Sequence, residues 1–135
     1  AKTGIDISKI ALHEDEMSLQ VARLEAYILD NFKITDSGFG YIIIRKPELD
    51  KFHLNDGELD HAVPLIGRIN TINNWIVVSE KVPNHFRVNL RSKNVAINGV
   101  AEKFGGGGHP LASGVYVGSM DEVNALIKDM DALNK

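Results

Sequence analysis

The chain contains no cysteine, which removes disulfides and every cysteine-based zinc site and is the usage expected of a reducing, cytoplasmic setting. Long apolar runs are missing too. The longest aliphatic stretch, Ile42-Ile43-Ile44 with Tyr41 before it, falls far short of the roughly 20 residues that cross a bilayer, and no signal-peptide-like apolar segment opens the sequence. Positive charge is not in excess either. With 15 Lys and Arg against 18 Asp and Glu, a net charge of −3 and a pI near 5.9, the composition argues against a broad basic face for long duplex nucleic acid and leaves open a short anionic ligand in a local pocket. The opening Ala1-Lys2-Thr3-Gly4 carries no initiator Met and reads as a processed terminus or a piece of a longer protein.

What is present describes one folded domain. The 135 residues, 44% hydrophobic and 24% charged, suffice for a continuous core without staples. Asp6 is placed to cap a short helix through Leu12, and Met17, Val21, Leu24 and Ile28 form one apolar stripe of a helix over 17–32. Asp36-Ser37-Gly38 reads as a turn, and 39–45 as a strand covered on both faces and ended by Pro47. Residues 56–72 are helical in pattern but broken by Pro64 and Gly67. Trp75–Ser79 and His85–Arg91 form a hairpin about Val82-Pro83-Asn84. In its second strand Phe86, Val88 and Leu90 face the core, while Arg87, Asn89 and Arg91 face the other way. Asn94 is expected to cap a helix through Phe104. Residues 112–117 form a strand, and Ser119-Met120-Asp121-Glu122 is a capping box opening a helix with Val123, Leu126, Ile127, Met130 and Leu133 on its apolar side. The sum is an α/β domain, a mixed sheet of about four or five strands with helices packed against it.

The most informative segment is Phe104-Gly105-Gly106-Gly107-Gly108-His109-Pro110. One glycine suffices to end a helix; a run of four points to backbone N–H groups brought close to an anion. His109 after the run is placed to donate to a phosphate oxygen, the better when protonated. Arg91 suits a bidentate grip on phosphate. Ser92 offers a hydroxyl and Lys93 a charge, while Arg87 lies about 13 Å from Arg91 along the strand and reaches a second nucleotide or nothing. Trp75 and Phe39 open apolar strands and read as core rather than base-stacking residues. Asp60 and His61 read as surface or interdomain residues, and Pro110 as a loop stiffener.

Arg91-Ser92-Lys93, a helix, then Gly105-Gly106-Gly107-Gly108-His109 and Ala112-Ser113-Gly114 together resemble the C-terminal, DHH-associated domain of the DHH phosphoesterase superfamily, most of all its nanoRNase/pAp phosphatase branch. The order of elements is similar from Ile10 to about Leu133. The resemblance implies that residues 1–135 are the substrate-binding domain of a two-domain enzyme that hydrolyses short RNA and 3′-phosphoadenosine 5′-phosphate. In such enzymes an N-terminal domain with an Asp-His-His triplet holds two divalent metal ions, usually manganese. Here Asp60-His61 is followed by Ala62, and the histidines at 13, 53, 85 and 109 show no ligand spacing. The expectation is therefore a fragment with no catalytic or metal-ligating residue and no cofactor of its own, inactive alone. It would bind a nucleotide or short single-stranded RNA through Arg91, Ser92, Lys93, Gly106, Gly107, Gly108 and His109, and would partner the missing N-terminal domain and no membrane. Two other roles stand beside it: the tRNA-binding module at the end of alanyl-tRNA synthetases, which the acidic pI disfavours, and a cyclic-dinucleotide phosphodiesterase domain of the same superfamily.

Overall fold

The computed structural model describes residues 16–135; the helix expected from Asp6 to Leu12 lies outside them. Helix α1, Leu19–Asn31, begins once the Ser18 hydroxyl has accepted the Val21 N–H, and buries Val21, Leu24 and Ile28. Met17, expected on that stripe, precedes the helix and is exposed. Two strands follow, β1 at Lys33–Ile34 and β2 at Phe39–Ile44. Pro47 ends the strand as expected and also opens a short helix α2, Lys46–Asp50, because proline lacks an N–H that the first helical turn does not use. Pro64 and Gly67 limit the next segment to α3, Glu58–Ala62, and a 3-10 turn at Ile66–Arg68.

The hairpin is longer than its apolar centre suggests. It joins β3, Asn74–Val82, to β4, His85–Ser92, with Asn84 at positive φ in the turn. Helix α4, Asn98–Lys103, starts four residues after the expected Asn94. The N–H groups around this start have other partners: Lys93 donates to the Asn73 carbonyl and Ile97 to the Pro110 carbonyl across the fold, and Asn94 to the Ser92 hydroxyl locally. A three-residue strand β5, Gly107–His109, and β6, Ala112–Val117, come next. Last is α5, Met120–Ala132, with the expected Ser119 cap accepting from the Glu122 N–H at 3.2 Å. Leu133 falls at its C-cap and is exposed.

Among the described residues six strands run in the order β1-β2-β3-β4-β6-β5, one more than the upper sequence estimate. Only β2 and β3 pair in parallel; the other neighbours are antiparallel. One face packs Phe39, Ile76, Val78, Phe86, Val88, Leu90, Val115 and Val117 against α4 and α5. The other packs Ile42, Ile44, Trp75 and Val77 against α1, α2 and α3, and among the described residues that cover stops at β3. Each large aliphatic or aromatic side chain so buried contributes about 1.5–3 kcal/mol. The open half-sheet formed by β4, β6 and β5 carries polar and small residues: Arg87, Asn89 and Arg91 on β4, and Ala112, Gly114 and Tyr116 on β6. Among the described residues no helix is long and apolar enough to cross a membrane.

Candidate functional site

Register places the candidate residues. Trp75 pairs with Arg91, Arg91 with Ala112 and Ala112 with His109. Directly opposed residues share a face of a sheet, so Arg91 and His109 stand on the same open face with Ala112 between them, about 10 Å apart across two strand spacings. Arg91 is half-buried. Its Nη1 donates to the Leu90 carbonyl at 2.9 Å and the Ser113 carbonyl at 3.2 Å, which leaves other guanidinium N–H groups for a ligand. Burial pushes this guanidinium below its ordinary value, with the Asp60 carboxylate opposing that shift and Arg87 adding to it.

His109 is oriented by its own turn. The β5–β6 hairpin closes through Pro110 and Leu111, and the Leu111 N–H donates to His109 Nδ1 at 3.0 Å. With Nδ1 accepting, the neutral ring carries its proton on Nε2, so the exposed imidazole is a donor without needing to be charged. The same turn is tied to the end of β4: Ser92 N–H donates to the Leu111 carbonyl at 3.0 Å, and Ile97 N–H to the Pro110 carbonyl at 2.8 Å. Arg91 and His109 thus sit on one hydrogen-bonded unit, although 18 residues separate them in sequence.

The glycines have individual reasons. Gly105 and Gly106 complete a Schellman motif, their N–H groups donating to the carbonyls of Glu102 at 3.1 Å and Ala101 at 2.8 Å. Gly105 has φ +96°. At Gly106 a Cβ would stand 2.2 Å from the Gly114 carbonyl oxygen, and at Gly108, with φ +143°, 2.9 Å from that of Ala112. Only Gly107 lacks such a demand, since a Cβ there meets nothing closer than Glu102 Cγ at 3.8 Å. The segment read as a loop ends as the sheet's edge strand β5, whose outer side has no strand beside it among the described residues.

The other sequence candidates are dispersed. Ser92 is buried and its hydroxyl accepts the Asn94 N–H. Lys93 is exposed and its Nζ donates to the Ile69 carbonyl at 2.9 Å, on the side of the 3-10 turn. Trp75 is core, with Nε1 donating to the Val63 carbonyl at 2.8 Å, and Phe39 is fully buried. Asp60 and His61 are exposed on α3. Two residues went unassigned by sequence. Asn89 lies between Arg87 and Arg91 on the open face, is 2% exposed, and its Nδ2 has no hydrogen-bond partner among the described residues. Tyr116 is 69% exposed, and its hydroxyl accepts from Arg87 Nη1 at 2.9 Å. The alternation of β6, extended to its last residues, places Tyr116 on this face. Among the described residues no three His, Asp or Glu side chains converge to hold a metal ion.

The family model described as the DHHA1 domain matches residues 39–135, and the chain belongs to that family. It is 37% identical over 134 residues to a probable bifunctional oligoribonuclease and PAP phosphatase NrnA of Streptococcus mutans, covering 99% of this chain and 43% of that protein. Against the bifunctional oligoribonuclease and PAP phosphatase NrnA of Bacillus subtilis the identity is 37% over 120 residues, covering 89% and 38%. The chain therefore spans about two fifths of the length of these relatives. In fold it is similar to the crystal structure of an exopolyphosphatase-related protein from Bacteroides fragilis, with a TM-score of 0.81 at 24% identity over 96% of this chain and 41% of that one.

Proposed function

We propose that this DHHA1-family chain is the substrate grip of a larger phosphoesterase that hydrolyses short oligoribonucleotides and 3′-phosphoadenosine 5′-phosphate. The observation that carries the reading is the row Arg91–Ala112–His109, which sets a guanidinium and an imidazole donor on one face over a small residue. Phosphate needs charge-assisted donors converging from separate directions, and the floor between them has to be low enough for the phosphate to reach both. The relatives named as bifunctional oligoribonuclease and PAP phosphatase support that substrate class. Gly107, the one glycine of the run that the fold does not demand, adds a place where a ligand can approach the backbone. In this reading Ser92 and Lys93 flank the grip, Ser92 by holding the end of β4 and Lys93 by adding positive charge at its margin.

The hydrolytic chemistry belongs in this reading to a DHH domain outside the present chain, carrying two divalent metal ions, manganese by family resemblance. The described residues do not converge to hold such an ion, so no step is assigned to one here. What the chain's own residues do is bind and orient: Arg91 and His109 fix one phosphate, and the reacting bond is presented to the partner domain. The isolated chain is accordingly expected to bind without hydrolysing.

The test is a calorimetric titration of the chain with 3′-phosphoadenosine 5′-phosphate and with a 5′-phosphorylated diribonucleotide. Saturable binding lost in both Arg91→Ala and His109→Ala, with the circular dichroism and melting of each variant kept, supports the grip. Unchanged affinity in both variants rules it out.

A further inference from the structure

A second recess opens on the same sheet face, between α3 and the β3–β4 hairpin. It has a volume of about 340 Å³ and is lined by Asp56, Asp60, Lys81, His85, Arg87 and Tyr116 among others, within the size range of small-molecule sites. Its floor is the row Ser79–Arg87–Tyr116. That row runs parallel to Trp75–Arg91–Ala112 and lies four residues away along β4, about 13 Å. The base of the nucleotide whose phosphate Arg91 holds spans that distance less readily than the base of an adjoining nucleotide.

We propose that this recess takes the base of the neighbouring nucleotide, stacked on the ring of Tyr116. The inference rests on Arg91 and His109 being the phosphate grip, and it sets the ligand's minimum length for full contact at two nucleotides. Tyr116 is 69% exposed, yet its ring is held in place: Arg87 donates to its hydroxyl at 2.9 Å and the guanidinium carbon lies 5.6 Å from the ring centroid. An aromatic ring fixed without being buried loses little freedom when a base stacks on it, and stacking tolerates any base because each has a π-face.

The charges fit a nucleoside better than a second phosphate. Lys81 and Arg87 are balanced by Asp56 and Asp60 around the same recess. A mixed rim repels no neutral base and offers carboxylates to ribose hydroxyls, whereas a phosphate would meet acid on one side. Between the two positions lies Asn89, whose buried Nδ2 lacks a protein partner among the described residues.

The test compares two ligands on the chain and its Tyr116→Ala and Tyr116→Phe variants by calorimetry: 3′-phosphoadenosine 5′-phosphate, which has one base, and the 5′-phosphorylated diribonucleotide. Tyr116→Ala is expected to weaken the diribonucleotide roughly ten-fold or more and to leave the one-base ligand within about two-fold. Tyr116→Phe keeps the ring and its contact with the Arg87 guanidinium, and should lose far less diribonucleotide affinity than Tyr116→Ala while leaving the one-base ligand unchanged. Equal losses for the two ligands, or no loss for the diribonucleotide in Tyr116→Ala, overturn the stacking site. Should that happen while Arg91→Ala and His109→Ala still abolish binding, the phosphate grip survives and only the second position falls. If Arg91→Ala and His109→Ala bind as the parent does, or the parent binds neither ligand, the grip fails and the inference fails with it.

Discussion

The Leu111 N–H donates to His109 Nδ1 at 3.0 Å across the tip of the β5–β6 hairpin, so the turn that positions the imidazole also selects its tautomer. The neutral ring is expected to be protonated at Nε2, the nitrogen that does not accept from the turn. Long-range ¹⁵N–¹H NMR correlation at a pH where the ring is neutral reads this directly, and an Nδ1–H pattern would contradict it. Since a hydrogen bond to a charged acceptor is worth about 1.5–3 kcal/mol, His109→Ala should weaken phosphate ligands by about ten- to one-hundred-fold.

The glycine run separates into positions the fold requires and one it does not. Gly106→Ala places a methyl 2.2 Å from the Gly114 carbonyl oxygen and 2.8 Å from Val115 Cα. Backbone cannot yield cheaply there, and a loss of about 1–3 kcal/mol is expected. Gly105→Ala forces a side chain into φ +96°, at about 1–2 kcal/mol. Gly107→Ala meets only Glu102 Cγ at 3.8 Å and should leave urea-unfolding midpoints nearly unchanged. A parallel titration then isolates function: reduced nucleotide affinity in Gly107→Ala, with stability kept, is the expected result, and full affinity would make Gly107 incidental to binding.

Two carboxylates make the fold acid-sensitive. Glu80 is held at about 2, chiefly by the Arg45 Nε donor and also by the N–H groups of Lys46 and Asn84. Asp131 is held at about 2 by the hydroxyls of Ser37 and Thr35. Both lie below the unfolded carboxylate range of about 4. The unfolded chain therefore binds more protons between about pH 4.5 and 2, and stability falls as the pH drops through that window. Denaturation midpoints measured from pH 7 to 2.5 should decline steeply in the parent, and more gently in Glu80→Gln and Asp131→Asn. A parent curve no steeper than the variants' would refute the assignment.

Much of this was legible from local pattern. The β4 alternation separated Phe86, Val88 and Leu90 from Arg87, Asn89 and Arg91, and the Ser119–Glu122 box located α5, because both signals lie within a few residues. What escaped depends on distant partners. Glycine has little strand preference, so β5 exists only through its pairing with β6. The start of α4 moved because Asn73, Pro110 and Leu111 engage the N–H groups around Ser92–Ile97. The alignment of Arg91 with His109, and of Arg87 with Tyr116, follows from the β4–β6 register, which no single strand's alternation contains. The glycine-histidine motif told where to look, and the register told which side chains meet there.

Asp60 supplies the last prediction. It is exposed on α3, and its carboxylate acts on Arg91 in the direction that favours the charged guanidinium. Arg91 stays charged in any case, as arginine does throughout the accessible pH range, so the main effect of Asp60 on binding is repulsion of an incoming phosphate. Asp60→Asn removes one negative charge and nearly preserves shape. Its affinity for 3′-phosphoadenosine 5′-phosphate should rise by about two- to five-fold in low salt, the scale of a partly screened interaction at a protein surface. The gain should shrink toward zero near 0.5 M salt, where the screening length is only a few ångströms. Titrations of parent and variant across that salt range measure it. A loss of affinity in Asp60→Asn would instead make the carboxylate a support that Arg91 needs in order to hold the phosphate.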